Sequence, residues 1–193
     1  MVNPNDDPIK LTPSRYETWR RLFQDERERV IDAISTTDLG EHVERIEHVG
    51  STAVPELPAK DIVDVDIVVA DNAVATVSET LETKLGGTRL ENTDSWYPLF
   101  RTHDGQRFND HVFAASGRKW KISVVTRAVL CSRPELRREY EQLKRELAHD
   151  HDDLTAYSRG KTAFVERVLC VGRDADDLEF DFTVPIDQSA EQA

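Results

Sequence analysis

The chain has 193 residues, of which 38 % are hydrophobic and 32 % are charged, and its formal net charge is −12. This length and balance predict a single globular domain with a proper core. The negative surface would repel nucleic-acid phosphates, which excludes an extended DNA or RNA footprint but leaves room for a local basic pocket. Because the sequence has neither a membrane-length apolar run nor a signal-peptide pattern at Met1, we expect a cytoplasmic protein with no membrane partner.

The acidic excess also suggests a salt-rich working environment. The chain has 37 acidic residues against 25 basic ones, and only seven of the basic residues are lysines. High salt relieves the self-repulsion of such a surface, so a halophilic source is our hypothesis, and an ordinary acidic cytosolic protein is the alternative. We expect the free energy of unfolding to be larger in molar KCl than in low salt. Equal stability in both would contradict the hypothesis.

The first half of the chain is predicted to hold two helices and two strands around a proline-rich loop. Residues 1–13 contain three of the eight prolines and form a polar lead-in. The elements that follow are a helix over 14–35, a strand over 41–49, a rigid loop over 52–59, a strand over 61–70 and a helix over 71–84. We expect the two strands to be neighbours in a sheet, with both helices packed on one of its faces.

The second half is predicted to begin with strands and to end with helices. The strands cover 88–91, 97–102 and 107–114, and the Asp104-Gly105 turn makes the last two an antiparallel hairpin. Residues 120–130 fit both a strand and a helix. Helices follow over 134–149 and 154–170. The pattern therefore indicates one domain over 14–172 and an acidic extension over 173–193, in which 178–184 is a candidate added strand.

Two carboxylates lie within the strand predicted over 61–70. Because strand side chains alternate between faces, Asp64 and Asp66 point the same way, while Val63, Val65 and Ile67 point into a core. Two adjacent unpaired carboxylates would repel each other and lose hydration. A divalent cation removes both penalties, and oxygen ligands suit Mg²⁺ or Mn²⁺. The alternative is a structural pair that is salt-bridged to basic side chains.

A glycine-serine turn precedes this strand. Gly50 allows the backbone to approach a ligand closely, and Ser51 and Thr52 offer hydroxyls and backbone N–H groups, which bind anions. His48 precedes the turn by two residues and is a candidate for orienting it. A turn of this kind followed by an Asp-x-Asp strand is the layout of the DNA polymerase beta-like nucleotidyltransferases.

The longer string that runs from His48 through Pro55, Leu57-Pro58-Ala59-Lys60 and Asp64 resembles the signature of the GrpB-like proteins of that superfamily. The resemblance covers residues 14–169. Further matches lie at His111, Val112, Trp120, Arg127, Arg133, Pro134, Glu135, Leu136, Tyr140, Leu143, Lys144, Tyr157, Lys161, Ala163 and Phe164. It implies an α/β (α+β) fold, in which a mixed twisted sheet carries the N-terminal helix and the C-terminal helices pack around it. It also favours a helix over 120–130.

The resemblance implies roles for particular residues. Asp64 and Asp66 would be catalytic and would bind the metal, although the family pattern matches Asp64 better, since many relatives carry an apolar residue at position 66. The nucleotide and its phosphates would be bound by His48, Gly50, Ser51, Thr52, Lys60, His111 and Lys161.

Each of these assignments has a structural alternative. Lys60 could instead form a salt bridge with a neighbouring aspartate, and His111 could be a structural histidine. Lys161 shares a predicted helix face with Tyr157, and that face could simply be solvated. Asp110 is the available candidate for the third carboxylate that two-metal phosphoryl transfer usually requires, although Phe108 and Val112 on the same strand face indicate burial instead.

The resemblance predicts a metal-dependent nucleotidyltransferase with Mg²⁺ or Mn²⁺ as cofactor. It would transfer a nucleoside monophosphate from a nucleoside triphosphate to an unknown small-molecule acceptor. The alternative is a non-catalytic nucleotide-binding or chaperone-like accessory module on the same fold. One departure favours the alternative, since relatives carry an acid where this chain has Ala128. The sequence leaves the oligomeric state open.

Overall fold

The computed structural model describes residues 9–186, except residues 36, 91, 94 and 152, so most of the predicted lead-in lies outside the described residues. The sheet consists of β1 (Val43–Val49), β2 (Ile62–Val69), β3 (Thr88–Arg89), β4 (Trp96–His103) and β5 (Gln106–Ala114). Their spatial order is β1-β2-β5-β4-β3. Strands β2 and β5 are parallel and the other pairs are antiparallel. The mixed sheet and the β4–β5 hairpin are thus confirmed.

One face of the sheet carries the two N-terminal helices. These are α1 (Tyr16–Ser35) and α2 (Val74–Leu85). Trp19 from α1 and Leu81 from α2 are fully buried in the same cluster as Val65 of β2. Burial of such side chains contributes about 1.5–3 kcal/mol each, and this layer is the main core of the domain.

A buried ionic network lies inside this layer and includes a residue that the sequence analysis misplaced. Asp110 faces the core, level with Val65, and its carboxylate accepts a 2.7 Å hydrogen bond from Arg101 Nε. Arg101 also donates to Glu26, which is paired with Arg29 at 2.6 Å. The interpretation of Asp110 as a third carboxylate beside Asp64 is therefore wrong. Strand alternation places Asp110 on the opposite face, where the guanidinium of Arg101 compensates its burial.

The other side of the sheet carries the C-terminal helices, the first of which packs directly on the sheet while the others pack on that helix and on one another. They are α3 (Lys119–Ser132), α4 (Pro134–Asp150), α5 (Leu154–Arg159) and α6 (Thr162–Arg173). The helix favoured over 120–130 is confirmed, but the single helix predicted over 154–170 is wrong. The helix is interrupted at Gly160, which ends α5, and Lys161 is the N-terminal cap of α6. In the described part of the chain, no helix has the length and apolar character needed to cross a membrane.

The segment after α6 packs as an irregular strap. The strand predicted over 178–184 is wrong, because residues 178–184 form no strand. Instead, the Phe182 ring packs edge-on against Trp120 with centroids 4.9 Å apart. Arg45 of β1 ion-pairs with Asp181 and lies over both rings. The strap therefore joins β1 to α3 through aromatic contacts and a surface ion pair.

Candidate functional site

The turn at Gly50 packs directly against Asp64. Gly50 has φ +70° and ψ −169°, a conformation that is essentially restricted to glycine. A Cβ at this position would lie only 2.3 Å from Asp64 Oδ2. The glycine is thus required twice, once for its backbone conformation and once for the closeness of the acidic strand. The turn therefore lies next to the Asp-x-Asp strand, as the predicted pairing of the two strands requires.

Gly50→Ala should destabilise the protein more than Gly86→Ala does. Gly86 has nearly the same conformation, φ +74° and ψ −172°, but no atom lies within 4 Å of the point that its Cβ would occupy. Gly86→Ala should therefore cost only the backbone strain, on the order of 1–3 kcal/mol. Gly50→Ala adds the collision with Asp64, so its midpoint of urea unfolding should be the lower of the two. Equal midpoints would mean that the turn can move away from the carboxylate.

A cleft of about 210 Å³ lies above this turn, between the sheet and the C-terminal helices. The charged side chains among its described lining residues are Lys60, Lys144, Lys161 and Asp64, so three lysines face one carboxylate. Lys60 comes from the loop before β2, Lys144 from α4 and Lys161 from the break between α5 and α6. The structure thus gathers cations from three separate parts of the chain around the acidic strand.

Lys144 is the most deeply buried of these lysines, with 1 % of the residue exposed. Its ammonium donates to Ser51 Oγ at 3.1 Å and to the Pro58 carbonyl. Burial and the nearby charge of Lys161 lower the pKa of Lys144 to about 7. Lys144 therefore links α4 to the glycine-serine turn, although the ligand-free cleft does not favour its charge.

Lys161 extends this cationic surface. Its ammonium lies 4.4 Å from the centroid of the Tyr157 ring. Burial and the charge of Lys60 lower the pKa of Lys161 to about 8, although Asp64 acts in the opposite direction. Burial also raises the pKa of the Tyr157 hydroxyl to about 12, so this group stays protonated. The two residues both line the cleft, although they belong to two helical segments and not to the one helix that the sequence predicted.

Asp64 is the carboxylate that lines the cleft. Asn109, its register partner on β5, donates a 2.9 Å hydrogen bond from Nδ2 to Asp64 Oδ1. Burial raises the pKa of Asp64, while the bond from Asn109 and the charges of Lys60 and Lys161 lower it. Asp64 thus points away from the apolar core, as the alternation of strand side chains predicts.

Asp66 lies on the same strand but is almost completely buried. Its Oδ2 has no hydrogen-bond partner among the described residues. Burial raises the pKa of Asp66 well above its usual range, and the Ser123 hydroxyl offsets part of this effect. The charges of Asp64 and Glu47 raise it further, and that of Arg127 lowers it. Asp66 therefore carries an uncompensated buried oxygen, which is costly for the ligand-free protein.

The two predicted histidines lie outside the cleft lining. His48 accepts or donates a 3.1 Å hydrogen bond with Thr52 Oγ1 and stacks on Phe23, so it supports the turn from the core side. His111 Nδ1 accepts a 3.2 Å hydrogen bond from Trp96 Nε1. Burial lowers the pKa of each imidazole to about 4, which keeps both rings neutral near pH 7. Thr52 itself lines the cleft.

The acidic pair fits a divalent cation that is shared with a ligand. In the described part of the chain, no group of three or more His, Cys, Asp or Glu side chains could hold a metal ion. Mg²⁺, however, is usually held by one or two carboxylates together with substrate phosphates. Asp64 supplies one such oxygen at the cleft, and the unpaired Oδ2 of Asp66, which lies outside the cleft lining, is a candidate for the second. The donor set thus suits a metal that arrives with a phosphate ligand.

Three polar residues line the cleft without a role predicted from the sequence, although two of them match the family pattern: Asn109, Tyr140 and Lys144. Tyr140 and Lys144 are four residues apart, as are Tyr157 and Lys161. This repeated Tyr-x-x-x-Lys spacing is a signal that could have identified Lys144. Asn109 carries no such signal, because only the parallel register of β2 and β5 places it beside Asp64.

Together these features define a mixed α/β protein with a lysine-rich cleft over an acidic strand. The sequence profile described as GrpB protein matches residues 8–170, and the chain belongs to this family. The chain is 31 % identical over 185 residues to the Glutamate-rich protein GrpB of Alkalihalophilus pseudofirmus. This alignment covers 88 % of this chain and 98 % of that protein.

Solved structures were compared with this chain by their folds. The conserved protein GrpB from Enterococcus faecalis has a TM-score of 0.67 and 23 % identity, with 82 % of this chain and 94 % of that chain covered. Cid1, a protein with RNA terminal uridylyl transferase activity, has a TM-score of 0.48 and 13 % identity, and the match covers 70 % of this chain and 41 % of the Cid1 chain. The first of these similarities shows that the GrpB fold is common to both chains.

Proposed function

We propose that the cleft binds a nucleoside triphosphate and transfers its nucleoside monophosphate to a small-molecule acceptor. A hydroxyl or amine of the acceptor forms a bond to the α-phosphorus while the bond to the α–β bridging oxygen breaks. Pyrophosphate leaves, and the proton of the acceptor passes to solvent. The observation that carries the proposal is the convergence of Lys60, Lys144 and Lys161 on the Gly50-Ser51 turn.

Charge explains why this convergence supports a phosphate ligand. Buried ammonium groups are unfavourable without an anion, and burial together with a neighbouring lysine depresses the pKa of both Lys144 and Lys161. A triphosphate would supply several negative charges to the lysines, while the Ser51 hydroxyl and the turn offer hydrogen-bond donors. Positioning and charge neutralisation of this kind provide most of the catalysis in phosphoryl transfer.

The proposed roles of the aspartates follow from their placement. Asp64 and Asp66 would hold Mg²⁺ or Mn²⁺ together with the phosphates, and the cation would supply charge neutralisation. Asn109 keeps Asp64 oriented through its 2.9 Å hydrogen bond. His48 acts as a positioning residue through Thr52, and His111 has no contact in the cleft that would support its predicted phosphate role.

The test is a panel of nucleoside triphosphates in thermal-shift assays of the full chain, with and without Mg²⁺. A ligand at one hundred times its Kd should stabilise the protein by about 2.7 kcal/mol. Lys161→Met should abolish most of this shift, while Lys84→Met, which removes an exposed charge on α2, should leave it unchanged. The absence of a shift with every nucleotide would refute the proposal.

Proton uptake provides a second readout. A bound triphosphate should raise the lowered pKa values of Lys144 and Lys161, so that binding near pH 8 takes protons up from the buffer. Calorimetric titrations in two buffers of different ionisation enthalpy would measure this uptake. Lys161→Met should reduce it. Binding without any proton uptake would mean that the phosphates do not contact these lysines.

The accessory-module alternative has one observation in its favour. The register partner of Asp64 on the parallel strand β5 is Asn109, whose amide is already bonded to Asp64 and brings no negative charge. A non-catalytic module would bind nucleotide without releasing pyrophosphate in the presence of any acceptor. Pyrophosphate release that depends on Asp64 would exclude this alternative.

A further inference from the structure

A second cavity of about 180 Å³ adjoins the cleft on the side of α3. Gly50, Ser51 and Tyr140 line both cavities and therefore form the boundary between them. We propose that this second cavity binds the acceptor, an uncharged and mostly apolar molecule that carries a hydroxyl and is about the size of one six-membered ring. The inference rests on the proposed function, because it names the class of the second substrate.

The apolar character of the acceptor follows from the walls of the cavity. The second cavity is lined by aliphatic side chains where the first cleft has lysines. These side chains come from the turn region, α3 and α6 and are Val54, Ile122, Leu130 and Val165. Such walls favour an apolar body. An engineered apolar cavity of about 150 Å³ is known to hold benzene, so a cavity of this volume suits a single ring.

The hydroxyl of the acceptor follows from an unsatisfied group in the wall. Ser123 and Thr126 of α3 lie about one turn apart and both border the cavity. Thr126 Oγ1 is buried and has no hydrogen-bond partner among the described residues. Buried hydroxyls are normally paired, so this atom indicates a ligand group that can donate or accept a hydrogen bond.

The absence of charge on the acceptor follows from the guanidinium in the same wall. Arg127 borders the cavity but is paired with Glu47 at 2.9 Å and donates to the His48 carbonyl at 2.6 Å. Its charge is thus already compensated. An anionic acceptor would therefore be buried without a free counter-charge among the described lining residues, which is costly. A neutral hydroxyl compound avoids this penalty.

The shared boundary explains how such a molecule could react. Ser51 and Tyr140 separate the phosphate side, where the lysines lie, from the aliphatic side. An acceptor whose hydroxyl lies at this boundary would be next to the α-phosphate of a nucleotide in the first cleft. The two substrates would then occupy the two cavities at the same time, as a direct transfer requires.

The test uses benzyl alcohol and toluene as a matched pair of probes. With methyl-labelled protein, NMR titration should show saturable shifts at Ile122, Leu130 and Val165. Benzyl alcohol should bind about ten-fold more tightly than toluene, because only the alcohol can pair with Thr126 Oγ1. The alcohol should still bind when the first cleft is saturated with the nucleotide that gives the largest thermal shift.

Thr126→Val tests the hydroxyl directly, because it keeps the shape of the side chain and removes the unpaired oxygen. It should fold normally and reduce the preference for benzyl alcohol over toluene to about two-fold or less. Thr80→Val, an exposed position on α2 that bonds to its own helix, should keep the full preference.

The outcomes separate this inference from the proposed function. If nucleotide binds but the alcohol does not bind, is displaced by nucleotide, or keeps its preference in Thr126→Val, the acceptor site is overturned and the nucleotide site stands. If no nucleotide binds, the proposed function fails, and the acceptor role fails with it even where benzyl alcohol still binds.

Discussion

Replacement of Arg101 by methionine should lower the free energy of unfolding by about 3–5 kcal/mol. The Arg101 side chain is 2 % exposed and donates to Asp110 at 2.7 Å, to the Leu85 carbonyl at 3.0 Å and to Glu26. Methionine has a similar length but no donor. The carboxylates of Glu26 and Asp110, both 0 % exposed, would lose this compensating charge in the core.

Urea denaturation measures this loss without the salt effects of guanidinium. Arg145→Met is the matched control, because it also removes one positive charge but breaks only a surface pair with Glu141, which contributes about 0.3–0.5 kcal/mol.

Burial already raises the pKa of Asp110, and loss of Arg101 should raise it further. The folded variant should therefore bind more protons than its unfolded chain as pH falls, so acidification should recover part of its stability relative to wild type. A loss below about 1 kcal/mol, which is typical of surface ion pairs, would show that the network is dispensable.

The acidic strand illustrates what could be predicted from the sequence. Alternation places Val63, Val65 and Ile67 on one face and Asp64 on the other, and a strand of this length cannot bury both sets in the same core. The glycine at position 50 also follows from local chemistry, because its backbone conformation is essentially restricted to glycine. Both features depend on residues that are close in sequence, which is why the sequence pattern predicts them.

The errors concern partners that are distant in sequence. Asp110 was misinterpreted because its compensating residues, Arg101 and Glu26, meet only when α1 packs on the sheet. Lys144 was missed because its position on α4 becomes functional only when α4 closes over Ser51. The partners in these contacts are distant in sequence, so the alternation along β5 and the Tyr-x-x-x-Lys spacing give only a partial signal.

The double variant Asp64→Asn with Asp66→Asn should be as stable as wild type or more stable in metal-free buffer. Burial and, for Asp66, the charge of Asp64 raise the pKa of these carboxyls in the folded protein. A raised folded pKa means that the folded state binds more protons than the unfolded chain, so wild-type stability falls as pH rises from the unfolded value through the folded one. Because asparagines do not titrate, the stability of the variant lacks this pH dependence. Its gain in free energy of unfolding over wild type should therefore be larger at pH 8 than at pH 5.

We expect a gain on the order of 1–3 kcal/mol at pH 8, because the substitution removes the charge of a buried, unpaired carboxylate at Asp66. In the same variant, Mg²⁺ should no longer change the apparent Kd of any nucleotide that wild type binds, since both proposed metal oxygens are replaced by amides. Asp25→Asn with Asp32→Asn, on the exposed face of α1, removes the same two charges and should alter neither property. Urea unfolding at both pH values and nucleotide titration with Mg²⁺ or EDTA measure the two effects. A loss of about 3–5 kcal/mol would instead mean that the acidic pair holds the fold together as part of a buried ion pair and is not reserved for a ligand.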